Sequence, residues 1–302
     1  MLGPVGRHAI AVVVPPGWLV VAGTVLGAAD GCKSDERMTP PVTNTAAAAA
    51  TPSPVPAGWV PLQPSEERRR CASYSRDEWR IAIDGAAVRI EKATVREPDS
   101  GPTLPFALPK LAEVRGRRHA LAAGDGFLVG FDAGEWGGSL YWFDRDGGGQ
   151  RKLAGENVRG LVALGPDTAI AIEGLAHLSL DEGRVRWLER RGGAFQAAGE
   201  SALPAAPQTH VAIPGGAVYV LTTKGLVRVT PDRRVTVVQP VETYGLYPDS
   251  MAVDPGGALW IGMRQLVLRL APARDRFTET WLVRQDCRRA EQVDLDCFCR
   301  GG

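Results

Sequence analysis

Along most of the chain, apolar positions come in short runs that glycine, proline and aspartate close off. The stretch from Asp249 to Leu270, DSMAVDPGGALWIGMRQLVLRL, shows this most plainly. It predicts strands over Ser250–Asp254, Ala258–Gly262 and Gln265–Leu270, with a Pro-Gly-Gly turn between the first two. The runs are too short for helices, and their apolar residues are β-branched or aromatic, which suits a pleated, half-buried surface. HVAIPGGAVYVLTTKGLVRVTPD, His210 to Asp232, repeats the plan. Earlier, the pattern predicts strands over Arg118–Ala122, Phe127–Asp132 and Ser139–Phe143. Four more are expected at Val158–Leu164, Ala169–Ile172, Ala176–Leu180 and Val185–Leu188. Trp79–Ile83 and Ala87–Val95 read as a hairpin around Asp84-Gly85, and Phe277–Leu282 as an outer strand. A short helical turn is expected just before Cys71.

Self-similar small antiparallel sheets predict an all-β fold, a β-propeller of about five blades with six or seven also open. Outer turns near Asp146, Asp181, Asp232 and Arg274 mark its blades. Asp254-Pro255-Gly256-Gly257, followed by Leu259-Trp260-Ile261-Gly262, resembles the repeats of sensor-type propellers of two-component regulators and of related lyase-like propellers. Gly215, Gly216 and Tyr219 carry a weaker copy. The resemblance implies architecture rather than substrate. For lyase-like members it would also imply a metal and a histidine base, and this sequence offers no recognisable match to either.

The N-terminus changes the picture. Ala9 to Ala29 is uncharged and mostly apolar, and Pro15-Pro16 interrupts it, so residues 1–31 read as a signal peptide rather than a lasting membrane span. Asp30-Gly31-Cys32 follows and resembles the lipobox of bacterial lipoproteins, in which the cysteine is acylated. Ala29 stands where that motif has an aliphatic residue such as Leu. Cys32 is therefore the expected lipidation site. Cleavage near Ala28–Ala29 and an uncleaved anchor are the alternatives. Residues 32–58, rich in Thr, Pro and Ala, cannot bury enough apolar surface to offset their ordering entropy, and read as a disordered spacer. The folded domain is then 59–302, held to a membrane by an N-terminal lipid. Its location would be the bacterial cell envelope, anchored at the outer membrane and facing the periplasm or the exported surface.

Formal charge is +1, which gives no electrostatic reason to expect nucleic acid. With Cys32 acylated, Cys71, Cys287, Cys297 and Cys299 remain as disulfide candidates. Three pairings are open. Cys297 and Cys299 are too close for easy mutual bonding, so Cys71 is expected to join one of them and Cys287 the other, linking the domain's ends. No Cys-x-x-Cys pair accompanies a nearby histidine, so neither a metal nor a cofactor is called for.

No G-x-S-x-G or H-E-x-x-H motif is present. His119, His177 and His210 fall at different blade positions, which implies no common cluster. Convergence of His210, Glu173 and Glu135 would favour a propeller hydrolase or lyase. The non-repeated loops hold the contact candidates: Glu135 and Trp136 in AGEWGG, Tyr247 and Asp249 in GLYPD. Asp132 also bounds a strand near a possible mouth. Trp142, Trp187 and Trp260 lie inside apolar strands and are expected to pack blades. The leading expectation is an exported, lipid-anchored, non-catalytic scaffold for an envelope protein, glycan or peptide. The alternatives are the hydrolase or lyase and a structural subunit of an outer-membrane complex.

Overall fold

The computed structural model describes residues 53–94, 98–111 and 114–287. Cys32, Cys297 and Cys299 lie outside the described residues, as do the signal peptide and most of the linker. The chain begins with β1 (Trp59–Pro61) and α1 (Glu66–Ala72), whose N-cap Ser65 accepts from the Arg68 amide at 3.2 Å. A hairpin follows, β2 (Trp79–Asp84) and β3 (Ala87–Lys92).

Three four-stranded antiparallel meanders come next. The first is β4 (Arg117–Ala123), β5 (Gly126–Asp132), β6 (Gly138–Asp144) and β7 (Gln150–Ala154). The second is β8 (Val158–Ala163), β9 (Thr168–His177), β10 (Leu180–Arg191) and β11 (Ala194–Leu203). The third is β12 (Pro207–Ala212), β13 (Val218–Thr222), β14 (Gly225–Val229) and β15 (Val235–Gln239). The last sheet has β16 (Ser250–Val253), β17 (Leu259–Gly262), β18 (Val267–Ala273) and β19 (Arg276–Arg284), with β1 added beyond β19.

First strands of successive sheets pack side by side: β4 on β8, β8 on β12, β12 on β16, and β16 on β2. Each meander thus starts at a common axis and works outward, the arrangement of a β-propeller. Apolar layers fill the gaps between sheets. Leu128 and Leu140 meet Val158 and Leu188, and Ile170 and Ile172 meet Val218 and Val227. Leu221 and Leu226 meet Ile261 and Leu268. Trp187 and Trp260 are buried, as their strand positions predict.

Two strand expectations in the second meander are corrected. Ala176–Leu180 is not a strand of its own. β9 runs to His177 and turns at Leu178, which has φ 52° and is exposed, so β9 and β10 form one long hairpin. The outer strand is β11, and Val185–Leu188 belongs to β10, next inward. Asp181 consequently lies inside β10 rather than at an outer turn.

The Asp254 turn explains its own sequence. The Gly257 amide bonds the Asp254 carbonyl at 2.9 Å, and Gly257 takes φ 80°, where a glycine avoids the side-chain penalty. The Asp254 carboxylate accepts from the Ala258 amide at 2.9 Å, the Trp260 indole at 3.0 Å and the Ser53 amide at 3.2 Å. Ser53 and Val55, in the stretch that composition places in the spacer, therefore contact the last sheet and its surroundings.

Candidate functional site

A polar residue stands first or second in the inner strand of each consecutive sheet, and two of these strands are irregular there. The β8–β9 register breaks between Val158 and Gly160, and the β12–β13 register breaks between Pro207 and Thr209. The residues set out of register are Arg159 and Gln208. Such irregularities re-aim a side chain, and both residues line one cavity of about 700 Å³. Arg117 at the head of β4 and Asp132 at the end of β5 face each other in register and line it too. Glu135, Tyr247 and, at the end of β9, His177 line it as well. Another cavity of similar size, about 710 Å³, lies by Trp59, Trp79 and Arg284 at the β1 seam, with fewer ionisable groups.

Each group is held from behind. Asp132, buried, pairs with Arg159 and accepts from the Gly134 amide at 3.0 Å. Asn157 clamps the AGEWGG loop: its Oδ1 accepts from Ala133 at 3.2 Å and its Nδ2 donates to the Gly134 carbonyl at 2.9 Å. That sets the 3-10 turn Gly134–Trp136 so that Glu135 meets His177 Nε2 at 3.0 Å, bridging two sheets. Gln208 accepts from the Thr243 hydroxyl at 2.8 Å. Tyr247 has φ 51°, and its ring lies under the Arg264 guanidinium at 3.9 Å. Arg264 is itself fixed by Glu78 at 3.0 Å and the Ser73 carbonyl at 2.6 Å.

Two histidines stand on inner strands, His119 on β4 and His210 on β12. His119 Nδ1 is 2.7 Å from Ser100 Oγ. His210 sits over Gly160, where any Cβ would collide with the imidazole. Burial, then Arg117, His210 and Arg159, lower the His119 pKa to about 3. Burial, then Arg117 and Arg159, lower that of His210 to about 4. Both rings are therefore neutral at ordinary pH. His119 and His210 both lie near Arg117 and Arg159, whereas His177 is apart on Glu135.

The contact candidates separate. Glu135 and Tyr247 are brought to one cavity. Trp136, beside Glu135, is 69% exposed, and its carbonyl accepts from Arg115 at 2.8 Å. Asp249 turns inward: its side chain is 8% exposed and bonds Arg80 at 3.2 Å. Burial pushes its pKa up, with Arg80 opposing. Glu173 is fully buried and bonded by Arg186 at 2.9 Å through both Nε and Nη2. Burial raises its pKa against that pairing. Glu173 and Glu135 thus have separate partners, and neither bonds His210. Among the described residues no group of three or more His, Cys, Asp or Glu side chains is placed to hold a metal.

No protein-family model and no curated protein matches the chain by sequence. Solved structures resemble it in part. The Dos1 propeller shares 13% identity over 54% of this chain and 46% of its own, with TM-score 0.39. YCF48 bound to D1 peptide shares 14% over 76% and 74%, also at 0.39. A gluconolactonase from Xanthomonas campestris shares 12% over 66% and 65%, at 0.34. The chain spans under half of the Dos1 propeller and under two thirds of that gluconolactonase. These likenesses do not bear on what the cavity binds.

Sequence reasoning missed Arg117, Arg159 and Gln208. Aligning the starts of the inner strands, RRHAL, VRGLV and PQTHV, shows a polar residue just ahead of the apolar run in each. The register breaks that turn two of them into the cavity carry no sequence signal.

Proposed function

We propose that this chain is an exported, lipid-anchored, non-catalytic β-propeller scaffold that binds its partner at the 700 Å³ cavity. The observation that carries the reading is the pair of register breaks aiming Arg159 and Gln208 into one mouth. Proteins place such irregularities beside functional sites, and mixed polar and apolar walls suit a binding cavity. The two-stranded sheet of β2 and β3 is read as an incomplete fifth blade. The hydrolase or lyase alternative loses its support, because Glu173 is held by Arg186 and Glu135 by His177. The reading includes acylation at Cys32 and a Cys71–Cys287 crosslink, which differs from the pairings preferred on spacing. Supporting that crosslink, Cys287 is buried in the cluster that holds Ala72, the neighbour of Cys71.

Two measurements test the proposal. Intact mass of the membrane-associated protein should show a diacyl or triacyl addition at Cys32; an unmodified Cys32 removes the anchor. Peptide and glycan arrays probed with the full chain should yield a ligand whose binding falls at least about tenfold, ~1.4 kcal/mol, in Tyr247→Ala. Turnover of a small substrate that survives Tyr247→Ala would point to the enzyme alternative instead.

A further inference from the structure

The sheet of β2 and β3 has two strands, whereas the others have four or five. Its open side is β3. Asp84 and Ala87 oppose one another across the hairpin, and the Ala93 amide bonds the Glu78 carbonyl at 2.7 Å in the same phase. Hydrogen-bonded positions alternate in an antiparallel pair, so Ala87, Arg89 and Glu91 bond inward to β2. The amides and carbonyls of Val88, Ile90 and Lys92 then point to the open side, and among the described residues none bonds them. Folded proteins normally cover or blunt such an edge. The side chains of Val88 and Ile90 join the cluster of Trp79, Trp260 and Leu282 against the last sheet. Trp59 and Trp79, of that same cluster, also line the cavity of about 710 Å³. Its walls come from β1 and β19, the outer strands of the last sheet, and from β2, the inner strand of this one. The space thus lies where outer strands of the short blade are missing.

We infer that β3 is a docking edge for this chain's own segment Glu291 to Asp296, which adds to it as an antiparallel third strand. The segment follows the described residues, and its sequence suits the place. Val293, Leu295 and Cys297 alternate with Asp294 and Asp296, the pattern of a strand buried on one face. The point of departure suits it too. Cys287 Sγ is 3.6 Å from the Gln265 side-chain amide, the Gln265 backbone amide bonds the Asp77 carbonyl at 2.9 Å, and Asp77 pairs with Lys92. The chain therefore leaves at the Lys92 end of β3. Residues 288–290 suffice to bring Glu291 there, since four extended steps span roughly 13 Å. Entry at that end gives an antiparallel strand without a crossover. Charge selects the register: with Val293 opposite Ile90 and Leu295 opposite Val88, Asp294 meets Arg89 and Glu291 meets Lys92. Sliding the segment by two residues sets Asp294 against Glu91 instead. Arg89 already has Glu91 at 3.6 Å and Asp84 at 4.0 Å, all three more than half exposed, so charge chooses the register and backbone pairing holds the strand. A second copy fits this edge poorly, because β18, β19 and β1 of the neighbouring sheet lie farther out than β3 and would meet it first. The inference is independent of what the 700 Å³ cavity binds.

The test is amide hydrogen exchange in the full chain, in Val293→Pro, and in a chain ended after Ala290. The Val88, Ile90 and Lys92 amides should exchange slowly in the full chain and at least roughly tenfold faster in both variants. The Arg89 and Glu91 amides, bonded to β2, should stay protected in all three and so report that the hairpin remains folded. Val293→Pro keeps Cys297 and Cys299, which separates loss of the strand from loss of a crosslink. Arg89→Asp should also speed exchange at Ile90, and adding Asp294→Arg should restore the protection. Fast exchange of the three edge amides in the full chain, or equal protection in all three chains, overturns the docking. Protection that rises with protein concentration and survives Val293→Pro assigns the edge to a second copy and overturns it as well.

Discussion

Asp254 joins three parts of the fold through one carboxylate: the turn at Ala258, the core indole of Trp260 and the incoming Ser53. The equivalent turn in the third meander has Ile213 in that place. There only the backbone closes it, with Gly216 bonding the Ile213 carbonyl at 3.2 Å. Burial pushes the Asp254 pKa up, but the hydrogen bonds from Trp260, Ala258 and Ser53 outweigh it and hold the pKa below the usual range. Asp254→Ala strands a buried indole N–H and two amides, and should cost about 3 kcal/mol. A urea midpoint lowered by less than ~0.5 kcal/mol equivalent would contradict this. A depressed carboxylate contributes stability above its unfolded pKa, about 3.9. That contribution should fade as acid is added below this value, and the Asp254→Ala variant should lack it.

At the scale of elements, the histidine pair makes the inner strands sensitive to acid. Unfolded histidine titrates near about 6.5, whereas His119 and His210 in the fold do so at about 3 and about 4. Between these values the unfolded chain binds more protons, so stability falls as pH falls. From about pH 6.5 to about pH 5 each histidine should remove about 2 kcal/mol. Denaturation curves across that range should therefore steepen their dependence on acid, and His119→Gln should make the dependence shallower. If wild type and variant lose stability in parallel, the pair is not the cause.

The elements also show what the sequence made legible. Runs such as FLVGFD and ALWIG declared themselves because β-branched and aromatic residues alternate between glycines. β11 did not, because AFQAAGESAL is rich in alanine and has little strand preference of its own. It is ordered by pairing with β10 along most of its length. Leu178 misled for the opposite reason: an apolar residue at an exposed turn reads as part of a strand. Glu135 and Tyr247 were recognisable as departures from the repeat. Arg159 and Gln208 were not, since their direction depends on a register shift that only pairing reveals.

For the whole molecule, closure rests on the ends of the domain. β1 pairs with β19 through Trp59–Arg284, Val60–Val283 and Pro61–Leu282. Strand addition of this kind covers the edge of the last sheet. The proposed Cys71–Cys287 crosslink would add a loop closure worth roughly 4 kcal/mol in the chain-entropy model. Cys71→Ser should lower the melting temperature accordingly, and reductant should do the same to wild type. Reductant that leaves wild-type melting unchanged would argue against the crosslink.

The order of these fastenings along the chain has a mechanical consequence. β1 is only three residues long and comes before Cys71. A pull from the N-terminal side would load the Ser53 contacts and β1 first. Those short attachments would yield, giving slack, while the proposed Cys71–Cys287 crosslink behind them carried the remaining force. The propeller would then behave as a body with a breakaway strand, able to absorb a pull from the proposed N-terminal tether while its four-stranded sheets stay paired.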